Sequence, residues 1–199
     1  MYRGEKARIF PVIIVLIVIA LAVAGLVAAG RAIFGGNQPT SSQPDTSREA
    51  LLNTASLRSV RMTVRGPLVA DENFRSYQLT VSNGSRTLTT YSGYLAQPIG
   101  SKQLSNNNKA YDEFVHALDK ANLAKGEAFS GDKDDTRGIC ASGKVYEFEI
   151  LDGSQAVKRL WTSTCKGSPG SLKASVKQLE LLFLEQVPDR KELLKTVDL

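Results

Sequence analysis

The spacing of apolar residues changes character along the chain. From Ile9 to Gly30 all 22 positions are uncharged, and only Pro11, Gly25 and Gly30 interrupt the apolar side chains. At ~1.5 Å per residue this run makes a helix of about 33 Å, enough for the roughly 30 Å hydrocarbon core of a bilayer. Further on, apolar positions alternate instead. Val60, Met62 and Val64 are interleaved with Arg61, Thr63 and Arg65, the signature of a half-buried strand, which Gly66-Pro67 ends. Tyr77, Leu79 and Val81 repeat the pattern. Asn83-Gly84 then predicts a two-residue type I′ turn with φ > 0 at both positions, returning through residues 85–91.

A loop with Pro98 and Gly100 leads to Asn106, Asn107 and Asn108, good helix N-caps. Tyr111, Phe114, Val115, Leu118 and Asn122 then share one helical face, with Gly126 as the stop. Residues 145–151 and 155–165 predict a second hairpin around Asp152-Gly153. The last long helix is expected over residues 171–186, with Leu172, Val176, Leu179 and Phe183 at helical spacing and Leu181, Leu182 and Leu184 widening the apolar face. After Pro188 a short tail helix carries Leu193, Leu194 and Val197.

Charge orients the first segment. Arg3, Lys6 and Arg8 precede the apolar run and only Arg31 closely follows it. An N-terminus in the cytoplasm follows from that bias, and the length of the apolar run points to an uncleaved anchor. A cleaved signal peptide is the rival reading, because Ala22-Val23-Ala24 resembles a cleavage site, but the apolar run continues to Ala29. Ala20, Ala24 and Ala28 recur four apart and could bring two membrane helices close, giving a homo-oligomer; small residues are also simply common in membrane helices. Residues 35–44 contain only Gly, Asn, Gln, Pro, Thr and Ser and read as a flexible stalk. Thr46 and Glu49 are spaced as a capping box, so the folded domain is expected to begin near Asp45.

The organisation expected is therefore a cytoplasmic tail at 1–8, a transmembrane helix at 9–30, a stalk at 31–44 and an extracytoplasmic α+β domain at 45–199. That domain should hold a mostly antiparallel sheet of about five strands packed against two longer helices. The whole chain carries +5, with a pI of 9.2. After residue 36, 21 Lys and Arg face 19 Asp and Glu, so the outer domain is about +2. Nucleic-acid binding gains no support from so small an excess.

Cys140 and Cys165 are the only cysteines, and both fall on the side expected to be oxidising, which points to one disulfide. If Asp152-Gly153 is a two-residue loop, paired residue numbers sum to 305, and the two cysteines satisfy that sum in a non-hydrogen-bonded pair. The same register puts Tyr146, Phe148, Ile150, Val157 and Trp161 on the core face; a bulge near Ala141-Ser142-Gly143 would shift the far end by one. Two thiols without histidine partners make no zinc site.

Candidate chemistry is sparse. His116, the only histidine, lies one turn from Asp112 and Lys120. A His–Asp pair of a hydrolase is conceivable there, but a solvated helix face with charge pairs is the simpler reading. Asp132, Asp134 and Asp135 evoke calcium, yet Arg137 stands where an EF-hand needs Gly and Gly143 where it needs Glu. Arg61, Arg65, Arg75 and Arg86 form a candidate basic face for anionic wall polymers or lipid headgroups, against the plainer reading of outward-facing charge guarding a sheet edge. Tyr91 and Tyr94, bracketing Ser92-Gly93, could stack on sugars or on a partner protein, or fill the core at a strand end.

Three stretches resemble uncharacterised, single-pass membrane-anchored envelope proteins of candidate-phyla bacteria of the Saccharibacteria type: RGPLVADENFRSYQLTVSNGSRTLTTYSGY, RGICASGKVYEF and LWTSTCKGSPGS. The resemblance implies a cell-envelope location, no established activity and no transferable site residues.

The functional expectation is a binding or scaffolding module at the cell membrane, without catalytic activity or cofactor. It would contact lipid through the segment from Ile9 to Gly30 and an envelope protein or anionic wall polymer through its outer domain. The alternatives are an envelope hydrolase or transferase using carboxylates, and an accessory subunit of a larger membrane complex.

Overall fold

The structure, a computed structural model, describes residues 47–55 and 57–199. The expected tail, transmembrane helix and stalk, and Thr46 of the capping box, lie outside the described residues. Among those that are described, no helix is long and apolar enough to cross a membrane.

The domain is α+β. A short helix α1 (Ser47–Leu52) precedes β1 (Arg58–Arg65), β2 (Arg75–Ser82), β3 (Ser85–Ser92) and β4 (Gln97–Ser105), which form a meander. Helix α2 (Asn108–Lys120) crosses to β5 (Val145–Asp152) and β6 (Gln155–Ser163); α3 (Val176–Leu184) and α4 (Lys191–Leu194) end the chain. The sheet has six strands in the order β4-β3-β2-β1-β5-β6, and every neighbouring pair is antiparallel.

One face of the sheet meets the helices. Val60, Met62 and Val64 stand opposite Val81, Leu79 and Tyr77 on one side and Ile150, Phe148 and Tyr146 on the other. All nine are buried and pack with Leu118 of α2 and Leu179 of α3. Phe183 joins the layers, its ring 5.3 Å edge-on from Phe114 and 5.9 Å from Phe148. Asn107 caps α2 by accepting from the Ala110 amide at 2.9 Å.

Several expectations are corrected. The sheet has six strands, not about five: the stretch expected as a loop around Pro98 and Gly100 is β4. Proline is compatible with an edge strand, where an amide hydrogen is not needed on the open side. A register shift between Thr90 and Tyr91 absorbs the irregularity. Secondly, the Asn83-Gly84 hairpin forms without the type I′ geometry, because neither residue has positive φ. Ser82 Oγ holds the turn instead, accepting from the amides of Gly84 (3.3 Å) and Ser85 (3.1 Å).

Thirdly, the β5–β6 loop is Gly153-Ser154, with Asp152 opposite Gln155 and Gly153 at φ 59°. A bulge between Ile150 and Leu151 then pairs Ile150 with Lys158 and Phe148 with Leu160. Val157 is the extra residue and is 44% exposed, while Trp161 lies opposite Glu147 on the far face of the sheet. Lastly, the final long helix is shorter than expected. Ser171 and Leu172 precede it, their amides donating to the Trp161 carbonyl at 2.9 and 3.0 Å, and Ser175 caps the helix instead. Leu181 is 55% exposed, so that apolar face is only partly buried. At the end of α2, Asn122 sits at φ 63° as an exposed terminating residue rather than on the apolar face.

The disulfide is present, with Cα atoms 5.5 Å apart, but it is not a ladder pair. Cys140 lies before β5 and Cys165 after β6, and the bridge closes the bend at residues 141–143 against the strand ends. Gly143 is required there by contact: a Cβ would come 2.2 Å from Thr164 Oγ1 and 2.9 Å from Cys140 Sγ.

Candidate functional site

The sheet face away from the helices divides into two halves. Over β1, β5 and β6 it carries charge, all of it paired. Arg61 Nε donates to Glu149 Oε2 at 2.6 Å. Arg65 donates to both Glu147 and Thr136. Arg159 reaches Glu147 at 2.6 Å and Asp134 at 2.8 Å. The hydrogen bond to Glu149 holds the Arg61 guanidinium above its ordinary value against the opposing effect of burial. At Arg159 burial is the largest influence and works against the charge, but Glu147 and Asp134 together outweigh it. The turn Gly131–Asp134 and Thr136 close over this network, and Phe129 meets the buried Trp161 edge-on at 5.9 Å.

Over β2, β3 and β4 the same face carries no charge. By register its positions are Gln78 and Thr80 on β2, Thr87, Thr89 and Tyr91 on β3, and Ser101 and Gln103 on β4, continued by serines at the strand ends and by Pro98. Gln78 donates to Thr63 Oγ1 at 3.1 Å, and the hydroxyls of Thr89 and Ser101 are 3.1 Å apart.

A cleft of about 340 Å³ lies where the halves meet. Thr63, Ser76, Gln78 and Tyr91 line it from the sheet, with Leu68, Phe74 and Tyr94 from the 66–74 and 93–96 loops, and Thr136, Ile139 and Val145 from the loop before β5. Its size is that of a small-ligand site. The Tyr94 loop is tied down. The Tyr94 ring stacks on Phe74 at 4.2 Å, its hydroxyl donates to the Val69 carbonyl at 2.7 Å, and its amide donates to Asp71 Oδ1 at 2.7 Å. The disulfide fixes the opposite wall through Cys140, itself part of the lining. Among the described residues the lining contains no carboxylate and no histidine.

The structure thus brings together only some of the residues singled out in the sequence. Tyr91 and Tyr94 both line the cleft, and Arg65 lies beside them. The four arginines do not form one face. Arg75 and Arg86 have the opposite register parity from Arg61 and Arg65. Arg75 donates to the carbonyls of Glu72 and Phe74 at 2.7 and 2.9 Å, and Arg86 to those of Ser105 and Gln186 at 2.8 and 3.1 Å. His116 is a surface residue whose Nδ1 donates to the Asp112 carbonyl at 2.8 Å, with the carboxylate at 3.6 Å. Asp134 is paired with Arg159 and Asp135 with Arg137, whose hydrogen bonds lower the Asp135 carboxyl to about 2. Among the described residues no group of three or more His, Cys, Asp or Glu is placed to hold a metal ion.

Leu68, Phe74, Gln78, Thr136 and Ile139 were not singled out in the sequence. Their signal is topological: they meet only once three separate loops and strands are assembled. The uncharged stripe was visible as the polar phase of the β2 and β3 alternation. In comparisons with known proteins, the chain matches no family model and no curated protein sequence.

Proposed function

We propose that this chain is a binding module held at the cell membrane by its N-terminal apolar segment, with the domain outside and the cleft between the Tyr94 loop and the Cys140 loop as its ligand site. The observation that carries this reading is the cleft: a concavity of about 340 Å³ with apolar walls, a polar floor and both rims fastened, one by the Phe74–Tyr94 stack and one by a disulfide. Rims fixed before binding reduce the ordering cost of association. Hydroxyl and amide groups on the floor supply direction, and aromatic and aliphatic walls supply area. A lining without carboxylate or histidine among the described residues favours binding over hydrolysis at this site. The disulfide accords with an oxidising, extracytoplasmic location, as does the envelope-protein resemblance.

The test is a photo-crosslinking amino acid placed at Leu95, which is 84% exposed on the cleft rim, in the intact protein in its native membrane. A discrete adduct at this position, absent when the same label replaces the exposed Leu181 on the helix side, is the expected result. Equal labelling from both positions, or none from Leu95, would overturn the assignment of the site.

A further inference from the structure

We infer that the uncharged half of the outer sheet face binds a neutral polysaccharide chain, one end of which enters the cleft; this rests on the binding-module reading and names its ligand class. The face is a grid of hydroxyl and amide groups. Thr80 and Thr87 stand opposite each other, Thr89 opposite Ser101 and Gln78, and Gln103 opposite Thr87. In a sheet these groups recur at about 4.8 Å across strands and about 6.7 Å along them. Such side chains both donate and accept hydrogen bonds, as sugar hydroxyls do.

Two further observations narrow the ligand. Thr80, Thr87 and Gln103 have no side-chain partner among the described residues, so their polar groups remain available. The sheet's arginines are committed elsewhere: Arg61 and Arg65 to Glu149 and Glu147, and Arg75 and Arg86 to backbone carbonyls. An anionic polymer or a phospholipid surface would therefore meet no cation on the grid, and the two cations of the cleft lining, Arg65 and Arg137, are paired with Glu147 and Asp135. A protein interface of ordinary kind would centre on apolar side chains; the exposed ones near this face, Leu68, Val69, Leu95 and Ile99, belong to segments 68–69 and 95–99 at its cleft end and not to the rows of hydroxyls. At one end the stacked Phe74–Tyr94 pair offers an aromatic wall to the apolar face of a sugar ring. An uncharged polyhydroxylated chain matches all of these features.

The experiment uses the full chain in detergent micelles, with cellohexaose and chitohexaose as neutral probes and an oligogalacturonate as the anionic comparison, read by titration calorimetry. The expected result is saturable binding of a neutral probe, weakened at least about tenfold in the Thr80→Val/Thr87→Val double variant. Valine keeps the β-branched shape, and an unchanged thermal midpoint confirms that the variant is folded. Tyr94→Ala should weaken binding independently. No saturable binding of either neutral probe up to about 10 mM, unchanged affinity in the folded double variant, or preference for the oligogalacturonate would overturn the inference. If the neutral probes fail while the Leu95 crosslinker still captures a discrete partner, the polysaccharide is wrong and the binding module stands. If both fail, both fall.

Discussion

Tyr77 and Tyr146 lie on the helix side of the sheet and converge on one carboxylate. The Tyr77 hydroxyl donates to Glu180 Oε1 at 2.8 Å. Burial first, and then Glu180, hold Tyr77 protonated far above the ordinary phenol range; the same two causes push Tyr146 up to about 12. Tyr111 is raised by burial against a smaller opposing effect of Arg58. In the unfolded chain each would titrate near 10. A proton held more tightly in the folded state gives stability that is complete below the unfolded pKa and is lost as pH rises through the folded one. These tyrosines should therefore leave stability unaffected up to about pH 10 and erode it from there towards pH 12. In an ultraviolet absorbance titration, these three of the six tyrosines should ionise only well above about pH 10 or together with unfolding. Glu180→Gln should bring the Tyr146 transition down, and an unmoved transition would contradict the role given to the carboxylate. The other residue-scale feature is the Cys140–Cys165 bridge, with a sequence separation of 25. Reducing it should remove about 3 kcal/mol of stability by loop entropy, measured as a lower urea midpoint in the presence of reductant. The pair is legible from the cysteine count; the ladder register that also predicts it does not form, because the β5–β6 bulge shifts the strand ends.

Elements built on local alternation were legible and those set by their neighbours were not. The buried phases of β1 and β2 and the apolar face of α2 follow directly from side-chain spacing, because each has a clean period and a sharp boundary. Strand β4 was hidden because Pro98 and Gly100 are turn residues in most contexts, and only the lone open side of an edge strand makes them tolerable. The β5–β6 hairpin was placed, but its bulge was not. One extra residue moves Val157 outward and gives the inner phase of β6 to Lys158 and Leu160. Two substitutions test that register together. Val157→Lys should change stability by no more than about 0.5 kcal/mol, as an exposed position. Leu160→Ala should cost about 2–5 kcal/mol, since Leu160 is 2% exposed in the core. The reverse ranking in chemical denaturation would restore the register with Val157 inside. At the start of α2, Asn107→Ala should cost about 1 kcal/mol through loss of the cap to the Ala110 amide.

At the scale of the whole molecule, the helices pack on one sheet face and the loops cover only half of the other. That asymmetry creates the cleft at the boundary and leaves the uncharged grid open beside it. The polar phase of β2 and β3 is legible in the sequence, but the cleft is not, because its lining comes from residues 63–78, 91–96 and 136–145, which are distant along the chain. The ion pairs that neutralise Arg61 and Arg65 span more than 80 residues, so a basic face read locally becomes an internal network once β5 lies beside β1. The central claim is that ligand is held in this cleft while the protein is anchored at the membrane. It is tested most directly by hydrogen–deuterium exchange of the full chain in its native membranes compared with the same chain purified in detergent. The account predicts extra protection in the native membrane confined to residues 66–74, 91–96 and 136–140 and the neighbouring β2 and β3 amides. Protection that is unchanged in these segments, or that appears on α2 and α3 instead, would contradict it.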